Sequence, residues 1–452
     1  MLELSLAEVS AKVRAGEVTP LELVQMAQEK IAHENPRLNA IIRVEEVSEQ
    51  AENLAKELAT GHLRSPLHGI PLVVKDIFAD PPAPVTAGSK FLRQFGSEVA
   101  TVLKRLRQAG AIILAKANLH EFALGFTSEN PHFGPVHNPH DPTRVAGGSS
   151  GGSAAAIANS VAYGALGTDT GGSIRLPAAY CGVYGLKPTY GLVSRKGVVP
   201  LSWSLDHVGP LARTPLDLAL LLEAIAGFDP LDPSSARRSP ESYSSQLKQP
   251  LDQLSLGIIE EYFFEGLEPE LQPVIEATLA RARELGWQVK KIPAPEHLNL
   301  AILAQKAILH AEAYTLHQKW LEERPDDYGT DVYARLMLGQ KTLAVNYLNA
   351  QRVRSLFRAE MEMVFGECDL LLSPTQASLP PKVGQLNPAD APNLAGVLAK
   401  ASPFNLCGFP ALSLPAGKIG SLPVGIQLAA PPFRESLLLR AAEALRNVDH
   451  QN

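Results

Sequence analysis

The sequence predicts an α/β protein in which a mixed, mostly parallel central sheet is covered by helices on both faces. Short apolar runs rich in β-branched residues alternate along the chain with longer segments of helical spacing, which is typical of layered α/β folds. The chain has 452 residues, of which 45% are apolar, and this is enough material for the core of such a sheet.

The predicted elements follow one another in this alternating order. Strands are predicted at residues 72–75, 111–116, 183–187, 256–259, 289–292, 370–373, 411–414 and 424–428. Helices are predicted at residues 102–108, 268–285, 298–322, 343–365 and 436–445. Two further helices are predicted after Thr19 and Thr214, where threonine is the N-cap and proline takes the first helical position.

Composition argues against several classes of protein. The net charge is −6 and no long basic run is present, so we expect no direct binding of nucleic acid. No stretch approaches 18 uninterrupted apolar residues, so we expect no membrane span. The first residues lack the pattern of a signal peptide, and the three widely spaced cysteines suit a reducing compartment. We therefore expect a cytoplasmic protein.

Two segments rich in glycine and serine lie at residues 147–153 and 169–173, with the sequences GGSSGGS and DTGGS. A flexible linker is one interpretation, but helix-forming alanines follow the first segment directly. Neither consensus of a phosphate-binding loop is present. Residues 147–151 also fit the G-x-S-x-G nucleophile elbow, which needs a preceding strand, whereas residues 138–144 are typical of a loop.

Lys75 closes the apolar run PLVVK upstream of these segments. A serine hydroxyl becomes a strong nucleophile when a base takes its proton, and lysine can be that base where burial lowers its pKa. A second serine can relay the proton, and glycines beside the nucleophile let backbone N–H groups approach the oxyanion. Alone, Lys75 would be a surface lysine at a strand end; together with the two segments it is a candidate general base.

These residues, with the continuation DTGGSIRLPAAYCGVYGLKPT, resemble the amidase signature family. The resemblance extends from about Leu4 to Arg446. It implies that Ser173 is the acyl-forming nucleophile, that Ser149 is a bridging serine preceded by a cis peptide bond, and that Lys75 is the general base. An amidase of this kind needs no metal and no cofactor.

The same resemblance implies roles for four neighbours of the nucleophile. The backbone of Thr170, Gly171 and Gly172 would contribute to the oxyanion hole. Arg175 would give structural support or contact the substrate. The resemblance also implies a single amidase domain over residues 1–452, with a signature core at about 60–215 and a helical insertion at about 260–366.

Two other groups of residues have competing interpretations. His132, His137 and His140 could bind a metal, but no second set of ligands accompanies them, so polar contacts within a loop are favoured. Asp206 and His207 could join a nearby serine in a histidine-based triad. A structural turn before a glycine–proline pair is the favoured interpretation of this sequence.

Two branches of the family are closest in appearance: 1-carboxybiuret hydrolase-like amidases and the glutaminase subunit of tRNA-dependent amidotransferases. Residues 391–404 contain no Asp or Glu that could pair with the α-ammonium group of glutamine. Arg335 is either a partner for a substrate carboxylate or an exposed helix arginine. We therefore expect an amidase for a small, carboxylated amide or urea-like substrate, which releases ammonia; the alternative is the glutaminase subunit. Either branch implies assembly with a small accessory subunit, in a homo- or hetero-oligomer.

Overall fold

A computed structural model describes residues 1–251, 253–386 and 400–449. Its strands are β1 (Ile41–Val44), β2 (Pro71–Lys75), β3 (Ile112–Ala117), β4 (Glu129–Asn130), β5 (Gly134–Pro135), β6 (His137–Asn138), β7 (Asp141–Val145), β8 (Ala165–Asp169), β9 (Tyr184–Lys187), β10 (His207–Ala212), β11 (Ser255–Ile258), β12 (Gln288–Lys291), β13 (Leu370–Pro374), β14 (Ala411–Ile419) and β15 (Leu422–Ala429).

The α-helices are α1 (Leu6–Arg14), α2 (Pro20–Leu38), α3 (Ser48–Ala59), α4 (Thr101–Gln108), α5 (Gly151–Ala158), α6 (Arg175–Cys181), α7 (Pro215–Ile225), α8 (Tyr243–Gln246), α9 (Gln272–Glu284), α10 (Leu298–Glu323), α11 (Thr330–Gln340), α12 (Ala344–Glu367), α13 (Pro403–Leu406) and α14 (Glu435–Asp449). Thr19 and Thr214 cap α2 and α7, and proline follows each of them as predicted. None of the helices in the described part of the chain is long and apolar enough to cross a membrane.

Eleven of the strands form one mixed sheet, in the order β1-β3-β2-β8-β10-β9-β14-β15-β13-β11-β12. Parallel pairing joins β2 to β3 and β8, and β11 to β12 and β13. The other six neighbouring pairs of the described sheet are antiparallel. The mixed α/β class is confirmed, but the expectation of a mostly parallel sheet is wrong, because the neighbouring pairs in the middle of the sheet, from β8 to β13 in this order, are all antiparallel.

Helices cover both faces of this sheet. Leu72 and Val74 of β2 belong to a core cluster that also contains side chains of α1, α4, α7 and α14. Val73, between them, points to the opposite face and belongs to a second cluster with α2, α3 and α5. The alternation follows from the two-residue period of a strand, and it explains why β2 reads as a continuous apolar run.

The candidate site lies where the paired strands β2 and β8 end. Lys75 is the last residue of β2, and Asp169 is the last residue of β8. Strand β10 runs antiparallel to β8, with His207 opposite Asp169, so the turn before β10 also reaches this edge. Helix α10 packs against both α11 and α12, and these three helices lie outside the sheet order. The proposed division into a core at 60–215 and an insertion at 260–366 stays a prediction.

Candidate active site

The side chain of Lys75 is buried at the centre of the site. All five residues of β2 are buried, and Lys75 has no exposed surface. Its Nζ donates hydrogen bonds to Ser149 Oγ at 2.7 Å and to Thr168 Oγ1 at 2.9 Å. Burial lowers the pKa of Lys75 to about 7, although the negative charges of Asp206 and Asp169 oppose this shift. The neutral amine that a base requires is therefore accessible near neutral pH.

Ser149 lies between this lysine and helix α5. The side chain of Ser149 is fully buried, and the peptide bond between Gly148 and Ser149 is cis, as the family resemblance implies. The carbonyl of Ser149 accepts hydrogen bonds from the amide of His120 and from Ser128 Oγ. These contacts fix the backbone of Ser149, so its hydroxyl stays within reach of Lys75.

The loop after β8 carries Ser173 into a pocket. Ser173 retains 5% of its surface exposure and lines this pocket together with Thr170 and Gly171. The amide of Gly172 donates to Asp169 Oδ1 at 2.7 Å, and the amide of Ile174 donates to Asp169 Oδ2 at 3.1 Å. The Asp169 carboxylate thus fixes the loop through hydrogen bonds from the backbone amides on either side of Ser173.

The hydrogen bonds to Asp169 determine which backbone amides of this loop are available to bind an oxyanion. The N–H groups of Gly171 and Ser173 have no hydrogen-bond partner within the described ranges. The amide of Gly172 is already engaged by Asp169 and is not free for a substrate. An oxyanion contact from Gly172, which the sequence led us to expect, therefore conflicts with the hydrogen-bond geometry of the loop.

Arg175 does not reach the pocket, so the expectation that it contacts substrate is not supported. Its guanidinium is fully buried and donates five hydrogen bonds: two to Asp169 and one each to Ala401 O, Gln427 Oε1 and Asn405 Oδ1. A guanidinium has five N–H donors, so none remains for a ligand. Arg175 is a structural residue that neutralises Asp169.

Arg335, on α11, lines the same pocket as Ser173. It is only 8% exposed, and its guanidinium carbon lies 5.9 Å from the centre of the Phe126 ring. Across the residues that the structure describes, Arg335 makes no hydrogen bond and no ion pair, and its Nε is buried without a partner. Burial lowers the pKa of Arg335 although the negative charge of Asp331 opposes this shift, so a further negative partner from a ligand would stabilise the buried cation. The interpretation of Arg335 as an exposed helix arginine is therefore wrong.

Several other residues of the site were not recognised from the sequence. Thr168 contacts Lys75, and Gln305 of α10 donates to the carbonyl of Thr170 at 3.3 Å. Lys306 and His310, also on α10, line the pocket beside Arg335. The helical spacing of 305, 306 and 310 places them on one face of α10, but nothing in the sequence indicates that this face meets the nucleophile loop.

The histidines near residue 135 make polar contacts, as the favoured interpretation has it. His132 Nε2 lies 2.8 Å from Glu121 Oε1, His137 Nδ1 contacts Pro142 O, and His140 Nε2 contacts Cys181 O. His207 Nδ1 lies 2.7 Å from the carbonyl of Leu205. The three histidines near residue 135 thus each have a polar partner within the protein, whereas the Nε2 of His207 is buried without one in the described part of the chain.

The fold and the site together define an amidase, a hydrolase that acts on C–N bonds. A family model described as Amidase matches residues 22–439, and the chain belongs to the amidase signature family. The resemblance identified from the sequence is therefore confirmed.

Relatives and solved structures are similar over nearly the whole chain. The subunit designated A of the glutamyl-tRNA(Gln) amidotransferase from Chromohalobacter salexigens is 40% identical over 98% of this chain and 96% of that protein. The same-named subunit of Thermotoga maritima is 33% identical, with a TM-score of 0.83 over 98% of this chain and 94% of that one. An inhibitor-bound complex that bears on the evolutionary origins of an s-triazine catabolic enzyme is also 33% identical, with a TM-score of 0.92 and 99% coverage of both chains.

These comparisons correct the expected function. An amidase that acts on a small, carboxylated amide or urea-like substrate was expected, and this expectation is wrong: relatives at 37–40% identity over nearly the full chain carry the name of an amidotransferase subunit. The expectation rested mainly on the absence of Asp and Glu from residues 391–404, of which 391–399 lie outside the described residues. One segment without a carboxylate is weak grounds against similarity along the whole chain.

Proposed function

We propose that this chain is the ammonia-producing subunit of a tRNA-dependent amidotransferase and that it hydrolyses the carboxamide of glutamine. The observation that carries the proposal is the identity of 37–40% with subunits of such an enzyme over at least 98% of the chain. The hydrogen-bonded pair of Lys75 and Ser149 supports it, as does the bond from the Ser150 amide to the carbonyl of Ser173. Amide hydrolysis requires an activated nucleophile and a means of moving its proton.

In the proposed reaction, Ser173 attacks the amide carbonyl while Ser149 passes the Ser173 proton to Lys75. The 2.7 Å contact between Lys75 Nζ and Ser149 Oγ supports this route, as does a Lys75 pKa of about 7. Lys75 then returns the proton through Ser149 to the leaving nitrogen, and ammonia departs. Water releases the acyl group from Ser173 by the same proton route.

The developing oxyanion would be stabilised by the free amides of Gly171 and Ser173. Preorganised N–H donors of this kind are effective because they need no rearrangement during the reaction. The Asp169 contact to the Gly172 amide supports this role, since it holds the loop between the two free amides.

Arg335 would bind the α-carboxylate of glutamine. Its burial without a partner and its place in the pocket of Ser173 support this assignment. A guanidinium suits a carboxylate because two of its N–H groups can bind both oxygens. Lys306, in the same lining, adds a second positive charge beside this position.

The proposal includes partner subunits, one of them a small accessory protein, while a cytoplasmic location remains an expectation. Helix α12 exposes the apolar side chains of Val345, Leu348, Leu356 and Met363. Exposed apolar surface of this kind is common at contacts between proteins and supports the assignment to an assembly.

The test measures ammonia release from glutamine, asparagine and neutral primary amides, by the chain alone and in complex with the partner subunits it co-purifies with. We expect glutamine to be the preferred substrate and the complex to be faster than the chain alone. The Ser173→Ala variant, in the same complex, is the control for contaminating glutaminase. Turnover of neutral amides by a complex that leaves glutamine intact would refute the proposal.

A further inference from the structure

Asp206 is a buried carboxylate beside the proposed oxyanion loop. It lies in the turn before β10 and is 8% exposed. Its Oδ1 accepts a hydrogen bond from Thr170 Oγ1 at 2.6 Å, and its Oδ2 accepts from the amides of Leu201 and Ser202 at 2.9 and 3.0 Å. A carboxylate with three donors is well held, so the side chain of Thr170 is fixed to a rigid turn.

The turn that carries Asp206 is itself anchored to the helices. Glu312 of α10 accepts hydrogen bonds from Ser202 Oγ at 2.6 Å and from the amide of Ser204 at 3.0 Å. The other oxygen of Glu312 accepts from Tyr347 of α12 at 2.9 Å. Helices α10 and α12 thereby hold the turn, the turn holds Asp206, and Asp206 holds Thr170.

The loop that contains the nucleophile is therefore fixed from two sides. Asp169 holds the amide of Gly172, and Asp206 holds the side chain of Thr170. The free amides of Gly171 and Ser173 belong to the same short loop. Their direction depends on both carboxylates, because a loop held at one end only could rotate its amides away from a substrate.

Asp169 and Asp206 differ in whether a cation is paired with the carboxylate. Asp169 is paired with the guanidinium of Arg175, whereas Asp206 accepts only neutral donors and forms no ion pair within the described ranges. Both negative charges act on Lys75, and the effect of Asp206 is the larger. The remaining polar contacts of Lys75 are Ser149 and Thr168, which are neutral.

We propose that Asp206 is a positioning residue for this hydrolysis: it fixes the loop of Gly171 and Ser173 through Thr170, and its negative charge stabilises Lys75 once Lys75 has taken the proton. This inference rests on the proposed roles of Lys75 and Ser173. The positive charge of Arg195 also acts on Asp206, and the Arg195 guanidinium donates hydrogen bonds to the carbonyl of Trp203 and to Ser234 Oγ.

The test compares the dependence of kcat on pH for Asp206→Asn and for the pair Thr170→Val and Thr170→Ser, with glutamine or the best amide substrate. Asp206→Asn removes a negative charge that favours protonated Lys75. The ascending limb of the curve of kcat against pH should therefore move to lower pH by roughly one unit, and kcat at the plateau of that curve should be about tenfold lower. Thr170→Val removes the hydrogen bond but no charge, so kcat should fall about fivefold while the limb stays in place. Thr170→Ser keeps the hydroxyl and should resemble the parent enzyme.

Asp217→Asn is the matched control, because Asp217 is also a buried carboxylate and accepts the amide of Ala7 at 3.0 Å, but in the described part of the chain it contacts neither the nucleophile loop nor Arg195. It should leave both kcat and the limb unchanged. An Asp206→Asn enzyme with an unmoved limb, or equal kcat in the two Thr170 variants, overturns the inference. If Asp206→Asn does not fold, the Thr170 pair decides. Activity in Ser173→Ala would instead refute the proposed function.

Discussion

The proposed catalytic half of the site, with Lys75, Ser149 and Ser173, lies where sheet strands end, whereas the half that carries Arg335 is made of helices. In the first half, Lys75 and the carboxylate of Asp169 have partners within the protein. In the second half, the Arg335 guanidinium is buried without one. Among the described residues, the unpaired groups of the first half are the amides of Gly171 and Ser173, whereas in the second half the negative charge of Asp331 acts on the Arg335 guanidinium but forms no ion pair with it.

This difference indicates how the two halves would respond to substitution. Changes in the catalytic half should lower kcat for every amide, because they remove groups that act on the reacting atoms. Changes in the helical half should raise KM for substrates that carry a carboxylate and leave other amides unaffected. Substitutions in each half can therefore test whether the two are separable.

The largest effect is expected for Ser173→Ala, which should abolish ammonia release because it removes the attacking hydroxyl. Ser149→Ala should leave a small residual activity, since water can replace a relay less efficiently. Ser153→Ala is the matched control: Ser153 is also buried and donates to the carbonyl of Leu166 at 3.0 Å, away from the pocket. A fluorophosphonate adduct mapped to Ser149, or normal turnover by Ser173→Ala, would contradict the assignment.

Lys75→Met should slow turnover by ~10²–10⁴-fold, the usual contribution of a general base. In the parent enzyme, activity should rise with pH through about 7, because protonated Lys75 cannot accept a proton and its pKa is lowered to about 7. Stopped-flow or steady-state rates from mildly acidic to mildly alkaline pH measure this limb.

Lys187 offers a control for this experiment. Burial lowers its pKa to about 7 as well, but its Nζ donates to the carbonyls of Pro188 and Phe409 and contacts no serine. Lys187→Met should retain the ascending limb in whatever fraction of the protein folds. If Lys187→Met loses the limb and Lys75→Met keeps it, the base has been assigned to the wrong lysine.

The catalytic half could be predicted from the sequence because its groups lie in short local motifs. Strands β8 and β10 could not be predicted, because glycine at 167 and proline at 210 weaken the strand signal. The contacts of Thr168 and Asp206 depend on the pairing of β10 with β8, which no local pattern specifies. Tertiary packing decides these positions.

The helical half was predicted less well for a related reason. Helix α10 was predicted almost to its ends, but the short helix α11, which carries Arg335, was not. The direction of Arg335 follows from packing between α10 and α11 and from contacts with the segment that contains Phe126. Arg335 and Phe126 are more than 200 positions apart in the sequence but lie close together in the fold. A single sequence does not indicate which distant residues come together in this way.

Arg335→Ala should raise KM for glutamine about 10–100-fold, because a charge-assisted hydrogen bond contributes roughly 1.5–3 kcal/mol. The change should leave kcat/KM for neutral amides within about twofold, since they carry no group that pairs with a guanidinium. Arg352→Ala, on the exposed part of α12, is the control for loss of a positive charge. Equal losses on neutral and carboxylated amides would show that Arg335 has a structural role.

The smallest effect is expected for His120→Asn, which tests what holds Arg335 in place. His120 Nε2 lies 2.9 Å from Asp331 Oδ2, and Asp331 precedes Arg335 by about one turn of α11. The ring of His120 also packs on Gly125 of the pocket wall, where an added Cβ would lie 2.2 Å from it.

Loss of this contact should let α11 shift slightly and raise KM for glutamine about threefold, close to the value of one ordinary hydrogen bond. The kcat should not change, because the substitution keeps the backbone amide of His120 that bonds the Ser149 carbonyl, and neither Lys75 nor Ser173 lies on α11. Asp331→Asn should behave in the same way, whereas Asp326→Asn, on the exposed turn before α11, should have no effect. A fall in kcat without a change in KM would mean that the two halves of the site are not separable.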